Sequence, residues 1–250
     1  MLKVIAIGDV HADYPRLWEA LRAAYAADTS GYPTPPVLDG RYQVILIGDL
    51  VHPKNLDAYE RLTGIKGFSD RNPDHLRVAS EAQAEALYQI RDYVESAGGA
   101  VTVILGNHDD AALDHKYDLG TGAGLTHNEF NPKKGGVELP EDLKTWIRSW
   151  PRYTRMNGIH FSHAGPLPGM MYFDDFFYGD PDSKKWWQTK PHYVQDAGHR
   201  FGVYGHTVMP EGIYVDPEQR FVMIDALERR QYLELLIRDN GEYDFRVADF

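Results

Sequence analysis

The chain has 250 residues, 43% of them hydrophobic, and a formal net charge of -11. That length can enclose one large core, and ordinary glycine, proline and charged contents exclude a fibrous or disordered chain. The acidic balance argues against non-specific nucleic-acid binding, and the absence of cysteine removes disulfides, thiolate metal sites and thiol nucleophiles together.

The first hydrophobic run, residues 4–7, leads into Asp9-Val10-His11. It begins almost at Met1, and no run approaches the ~20 apolar residues of a membrane span. The expectation is a cytoplasmic protein with no membrane association. Asp13, with Pro15 behind it, caps a helix whose apolar face is Leu17, Trp18, Leu21 and Tyr25. Residues 31–39 are rich in Pro and Gly and read as loop. A second run, 44–47, precedes Gly48-Asp49, and residues 55–62 read as a short helix. Leu76, Ala79, Gln83, Leu87, Ile90 and Val94 share one face of a longer helix over 74–96, stopped by Gly98-Gly99. A third run, 101–105, leads into Gly106-Asn107-His108-Asp109.

Residues 111–140 are broken by five glycines, carry His115 and His127, and read as an insertion over the site. Leu143, Trp146, Ile147 and Trp150 give a short helix ended by Pro151. A fourth run, 159–161, leads into Ser162-His163-Ala164-Gly165, and a fifth, 201–204, into Gly205-His206-Thr207. Between them the loop-rich stretch 166–198 holds Tyr172, Phe173, Phe176, Phe177, Tyr178, Trp186 and Trp187, as packed surface or lid. The tail reads as antiparallel strands over 221–225, 232–238 and 243–247, the last two joined at Asp239-Asn240-Gly241. The reading is a single domain, 1–250, with loop insertions near 111–140 and 166–198.

Strands separated by helices favour a parallel, buried sheet, and residues just past parallel strand ends face the crevice where such sheets bind ligands. Five runs would therefore deliver Asp, His and Asn to one sheet edge. Asp9 and His11, at i and i+2, leave an extended chain on the same side. Asp49 has two oxygens and can bridge ions ~3.5–4 Å apart. The reading gives one ion to Asp9, His11 and Asp49, and another to Asp49, Asn107, His163 and His206. Any single Gly-Asp or Gly-His pair is more often a turn than a ligand. Five motifs in order, each after a hydrophobic run, favour the metal reading.

As a set, the motifs resemble the calcineurin-like metallophosphoesterase superfamily. His163-Ala164-Gly165 and Gly205-His206-Thr207 are similar to its branch of bacterial phosphoprotein phosphatases and diadenosine tetraphosphate hydrolases. The resemblance implies an α/β fold, a four-layer α/β-β-α sandwich, with a centre of two divalent metal ions. Manganese suits the mixed oxygen and imidazole ligands, and iron, zinc or nickel also fit. It implies a metal-bridging hydroxide as nucleophile and His108 as general acid, with Asp109 either orienting His108 or capping the turn.

The chain departs from the branch pattern at three positions, and from other superfamily members at a fourth. Ala12 stands where Gly usually follows the His. His52 replaces the Asp that pairs with the acid His, and Pro53 replaces the phosphate-gripping Arg. Val208 stands where many superfamily members have a second His. Lys54, Arg152, Arg155 or Arg200 would have to replace the lost charge, Lys54 reading first as a surface residue. His52 reads as a neighbour of the ligands. His75, His115, His127, His160, His192 and His199 read as core or surface, with His115 and His127 the best placed for the site. Three classes follow: a phosphomonoesterase of Ser/Thr-phosphatase-like type, a nucleotide hydrolase acting on dinucleoside polyphosphates or phosphodiesters, and a non-catalytic scaffold. The intact ligand set disfavours the scaffold. The partner is a phosphorylated small molecule, nucleotide or phosphoprotein.

Overall fold

The structure, a computed structural model, describes residues 1–115, 118–122, 124–166 and 184–250. Its first five-stranded sheet holds β1 (Leu2–Ile7), β2 (Tyr42–Leu46) and β3 (Val101–Val103), all parallel. The second is built on β4 (Tyr153–Met156), β5 (Ile159–Ser162), β6 (Phe201–Tyr204), β7 (Tyr214–Asp216) and β8 (Phe221–Met223), with order β4-β5-β6-β8-β7. Here β5, β6 and β8 run parallel, flanked by antiparallel β4 and β7. The chain then returns to the first sheet as β9 (Gln231–Ile237), antiparallel to β1, and β10 (Tyr243–Asp249), antiparallel to β9.

Two sheet edges therefore replace the single one expected. A strand buried on both faces reads as a continuous apolar run whichever sheet it joins, so the runs alone cannot assign strands to sheets. The 221–225 strand, expected to be antiparallel, is so toward β7 but parallel toward β6, and it lies in the second sheet rather than beside β9. Only β9 and β10 form the expected hairpin, with Gly241 at φ 82° in its turn.

The period-2 alternation of the strands builds the layers. Val4, Ala6, Ile45, Ile47, Phe161, Val203, Val222, Leu233 and Leu235 pack between the sheets. Ile5, Ile7, Val44, Leu46 and Val103 face outward. They meet Leu17 and Leu21 of α1 (Tyr14–Ala23), Leu87 and Ile90 of a later helix (Pro73–Ser96), and Leu143 and Ile147 of another (Glu141–Arg148). The outer face of the second sheet, with Tyr204, Phe221 and Met223, is covered by Trp186 and Val194 from two short helices. The order is helices, sheet, sheet, helices.

Two local expectations are corrected. The first helix stops at Ala23, and Tyr25 lies beyond it at φ 57°, 57% exposed, so it is not on the buried face. The loop over 31–39 contains a one-turn helix, α2 (Pro35–Leu38). Proline is tolerated in a first helical turn, where its missing N–H has no partner to lose. Among the described residues the remaining α-helices are α3 (Leu56–Thr63), α4 (Pro73–Ser96), α5 (Asn107–Asp114), α6 (Glu141–Arg148), α7 (Trp186–Thr189) and α8 (Tyr193–Asp196). Trp186 is core, and its indole N–H donates to the Ala164 carbonyl at 2.7 Å. Tyr172, Phe173, Phe176, Phe177 and Tyr178 lie outside the described residues.

Candidate metal centre

The loops leaving β1, β2 and β3 converge on those leaving β5 and β6. The Val10 and His11 amides donate to the Asp49 carbonyl at 3.1 and 2.7 Å, tying the first two loops together. His11, Asp49, His52 and His206 have φ of 47°, 50°, 67° and 65°. That left-handed region costs a non-glycine residue roughly 1–2 kcal/mol, and such strain clusters at functional sites. The motif glycines are required by close approach. A Cβ on Gly106 would lie 2.2 Å from Asp49 Oδ1, and one on Gly205 would lie 2.1 Å from Asp9 Oδ1.

The structure brings Asp9, His11, Asp49, Asn107, His163 and His206 into one cluster, buried except for the partly buried His11. Asp49 Oδ2 sits between two imidazoles, 3.5 Å from His11 Nε2 and 3.2 Å from His163 Nε2. Asn107 Oδ1 lies 3.1 Å from His163 Nε2 and 2.9 Å from His206 Nδ1. His11 Nε2 is 3.9 Å from Asp9 Oδ2, and the Asp9 carboxylate accepts the His206 amide at 2.9 Å.

Backbone carbonyls set two tautomers. His11 Nδ1 is 3.0 Å from the His52 carbonyl, and His163 Nδ1 is 2.7 Å from that of Ile47. A carbonyl only accepts, so each Nδ1 carries a proton and each Nε2 is the nitrogen turned inward, free to ligate once it carries no proton. Metal-ligating histidines are oriented this way. Burial holds His11 and His206 below the usual imidazole range, which keeps them neutral, the form that binds metal.

The carboxylates call for a cation. Burial, then the charge of Asp225, holds Asp9 well above the usual carboxylate range. Burial opposes ionisation of Asp49, but His163 and His108 outweigh it and hold Asp49 low. Burial likewise works against the charge on His163, yet Asp49 and Asp9 outweigh it and hold the ring up at about 10. A site that pulls a proton onto an imidazole is one that divalent ions would neutralise more fully. The oxygen and inward-turned nitrogen donors fit two such ions.

Asp225 also belongs to the cluster, although the sequence reading passed it over. Its signal matched the other motifs: a carboxylate directly after the hydrophobic run 221–224.

His108 and Asp109 follow Asn107 in the first turn of α5. The His108 amide donates to Asp49 Oδ1 at 2.9 Å. Its Nδ1 lies 3.1 Å from His52 Nδ1, which leaves Nε2 for another partner. Burial lowers His108 to about 4. Of the two readings of Asp109, orienting His108 or capping the turn, the contacts favour the second. The Asp109 carboxylate accepts the amides of Asp49, Leu50 and Gly106 at 2.7, 2.8 and 3.1 Å, so it staples the Asp49 turn instead. A buried carboxylate goes to the nearest donors, and the turn presents three amides at once.

Behind His108 lies a polar stack. His52 and His127 are parallel at 4.5 Å between centroids. His127 Nδ1 is 2.7 Å from the Tyr59 hydroxyl, which donates to Glu129 at 2.9 Å. Gln83 joins Glu129 to the chain by donating to it at 3.0 Å and accepting the His52 amide at 2.8 Å. His52, His108 and His127 have ligand atoms close enough to suggest a metal. Parallel stacked rings, however, cannot both aim in-plane lone pairs at one ion.

Lys54 is not a surface residue. Its side chain is 14% exposed, and its ammonium donates to Asp225 Oδ1 at 2.6 Å. Burial opposes its charge, but Asp225 and Asp9 outweigh this and raise its pKa, so it stays protonated. With Lys184 it lines a cavity of about 130 Å³ shared with His11, Asp49, His108 and His127. A larger cavity of about 410 Å³, lined by Trp18, Tyr32 and Tyr93, contains none of the motif residues. Arg200 donates to the carbonyls of Asn157 and Gly241, at the end of the second sheet opposite His206. Arg155 stands opposite His160 in β5, and Arg152 is exposed. His115 ends α5 at φ 51°, His75 accepts the Ser69 amide, and His160 stacks on His199.

Paired sheets whose strand ends gather carboxylates and imidazoles around a cation-seeking cavity define a metal-dependent hydrolase. The chain belongs to the calcineurin-like phosphoesterase family, which it matches over residues 2–238. This is a hydrolase family with dinuclear metal centres, and it implies a phosphoester substrate. Among solved structures, the chain is similar to a cold-active protein tyrosine phosphatase, with 17% identity and a TM-score of 0.56 over 98% of this chain and 78% of the other. It is also similar to a protein serine/threonine phosphatase from Saccharomyces cerevisiae, with 11% identity and a TM-score of 0.57 over 100% of this chain and 80% of the other. At these identities the likeness concerns the fold. A search of curated proteins returned no match. Among the described residues, no helix is long and apolar enough to cross a membrane.

Proposed function

We propose that this chain is a dinuclear phosphomonoesterase of Ser/Thr-phosphatase-like type, for which small-molecule and nucleotide esters compete well with phosphoproteins. One observation carries the reading: Asp49 Oδ2 lies between the inward-facing Nε2 atoms of His11 and His163. That is where a carboxylate shared by two ions belongs. Asp9, His11 and Asp49 would hold one ion, and Asp49, Asn107, His163 and His206 the other, with manganese the best match to the donors. Bound there, the ions would polarise phosphoryl oxygens and lower the pKa of an attacking water.

The chain's own residues do the rest. Lys54 and Lys184 bring positive charge to the cavity wall, where phosphate oxygens would lie. A lysine is a point charge, unlike the planar fork of the arginine usual in the branch, so a terminal phosphate is gripped less specifically. His108 donates a proton from Nε2 to the leaving oxygen. A phosphate dianion beside His108 would raise its pKa against the effect of burial. His52, bonded to His108 Nδ1, holds the ring in place. Asp109 keeps the Asp49 turn in shape through the backbone amides.

The two cavity lysines also favour a second reading, a nucleotide hydrolase acting on dinucleoside polyphosphates, whose extra phosphates would need extra positive charge. The test is kcat/KM with Mn²⁺ across phosphomonoesters, phosphodiesters, phosphopeptides and dinucleoside polyphosphates. The proposal expects small or nucleotide monoesters within tenfold of the best substrate. A phosphopeptide ahead of every small ester by tenfold or more overturns the substrate preference, and a dinucleoside polyphosphate ahead by that margin selects the second reading.

A further inference from the structure

β8 lies beside β6 and runs parallel to it, so Asp225 emerges at the same sheet edge as His206. Gly8, just before Asp9, lets the end of β8 come close. A Cβ there would lie 1.9 Å from the Ile224 carbonyl oxygen and 3.1 Å from Asp225 Cα. The ends of β1 and β8 are thus pressed together, and the side chains of Asp9 and Asp225 share one buried volume.

Asp225 is 1% exposed. Its two oxygens have different surroundings. Oδ1 accepts the Lys54 ammonium at 2.6 Å. Oδ2 is buried and meets no hydrogen-bond donor among the described residues. Ligand atoms of Asp9, His11 and Asp225 all lie within 4.8 Å of one another. A buried acceptor left unsatisfied costs roughly 1–3 kcal/mol, and more when charged. The ion pair with Lys54 accounts for one oxygen and leaves the other, in a carboxylate clustered with Asp9 and His11, unexplained.

We propose that Asp225 is a further ligand of the first metal ion, through Oδ2, beside Asp9, His11 and Asp49. This deepens the dinuclear reading and rests on it. The first ion would then have three carboxylates and one imidazole, the second one carboxylate, one amide oxygen and two imidazoles. The carboxylate-rich half is the harder site and favours an oxygen-seeking ion such as Mn²⁺. Lys54 balances the added negative charge from outside the ligand shell. It also holds Asp225 in one orientation, as partners of ligating carboxylates do.

The experiment uses full-length protein stripped with chelator, reloaded with Mn²⁺, counted by elemental analysis after gel filtration and titrated calorimetrically. Wild type, Asp225→Asn, Lys54→Gln and Asp225→His are compared, with circular dichroism as the check of folding. The expected result is two equivalents in wild type and Lys54→Gln, and one in Asp225→Asn. The lost ion should bind at least tenfold more weakly in Asp225→Asn than in Lys54→Gln. Asp225→His, which lacks the carboxylate but offers a ligand nitrogen, should recover the second equivalent. This arm decides the matter if Asp225→Asn does not fold. Two equivalents with wild-type affinity in Asp225→Asn would overturn the assignment, as would equal losses in Asp225→Asn and Lys54→Gln, since Asp225 would then serve only Lys54. A wild type that binds no Mn²⁺ would instead refute the dinuclear reading itself.

Discussion

Replacing Glu129 by Gln should remove a large part of the pH dependence of stability. Glu129 is fully buried behind His127 and is held by the Tyr59 hydroxyl at 2.9 Å and the Gln83 amide at 3.0 Å. Burial raises its carboxyl from 4.5 to about 7, and the two donors only partly oppose the rise. The folded protein therefore keeps a proton that the unfolded chain releases between those pH values. Stability from this group is fully present below pH 4.5 and is lost as pH rises through about 7. The interval, at about 1.4 kcal/mol per pH unit, amounts to roughly 3 kcal/mol. Glutamine cannot ionise, so the variant lacks this loss. Urea unfolding of both proteins in chelator, from pH 4 to pH 8.5 (a range chosen to bracket the window), measures it. The difference in unfolding free energy should move by roughly 3 kcal/mol in favour of the variant across the window and stay flat on either side. Parallel curves throughout would refute the reasoning, because Glu129 would then titrate alike folded and unfolded.

His108→Asn should keep the fold and both metals and lose roughly 10²–10⁴ in rate. The loss should be greatest for alkyl phosphates, whose leaving group needs a proton, and smaller for p-nitrophenyl phosphate. Equal losses on the two substrates would instead assign His108 a positioning role. Lys54→Met should raise KM for phosphate monoesters roughly 10–100-fold, the worth of a charged hydrogen bond of about 1.5–3 kcal/mol, with a smaller change in kcat. An unchanged KM would remove Lys54 from substrate binding.

The site was largely legible in the sequence, because carboxylate, amide and imidazole residues directly follow hydrophobic runs. What the runs cannot carry is sheet membership. Val44 and Phe161 read alike, though one strand lies in each sheet. The β4–β5 hairpin was legible but went unread: Asn157-Gly158, at φ 50° and 81°, is a two-residue turn of the type that joins antiparallel strands. Asp225 was passed over because it followed the fourth motif histidine at a distance and carried no glycine beside it. Lys54 reads as solvated by type alone. Only its pairing with Asp225, 171 residues away, buries it. The orienting role for Asp109 rested on adjacency to His108, whereas a helix start turns consecutive side chains in different directions. His127 enters the site from the glycine-broken insertion, where no periodicity fixes a position.

The central claim is that Asp49 sits between two catalytic metal ions. Metal content and phosphoester hydrolysis, measured in the same preparation of wild type, Asp49→Asn, His163→Ala and His206→Ala, test it most directly. The claim predicts up to two transition-metal ions in the wild type, hydrolysis abolished by chelator and restored by Mn²⁺, and a deeper loss in Asp49→Asn than in either histidine variant, because the bridge serves both ions. Metal-free wild type with full activity in excess chelator would contradict it.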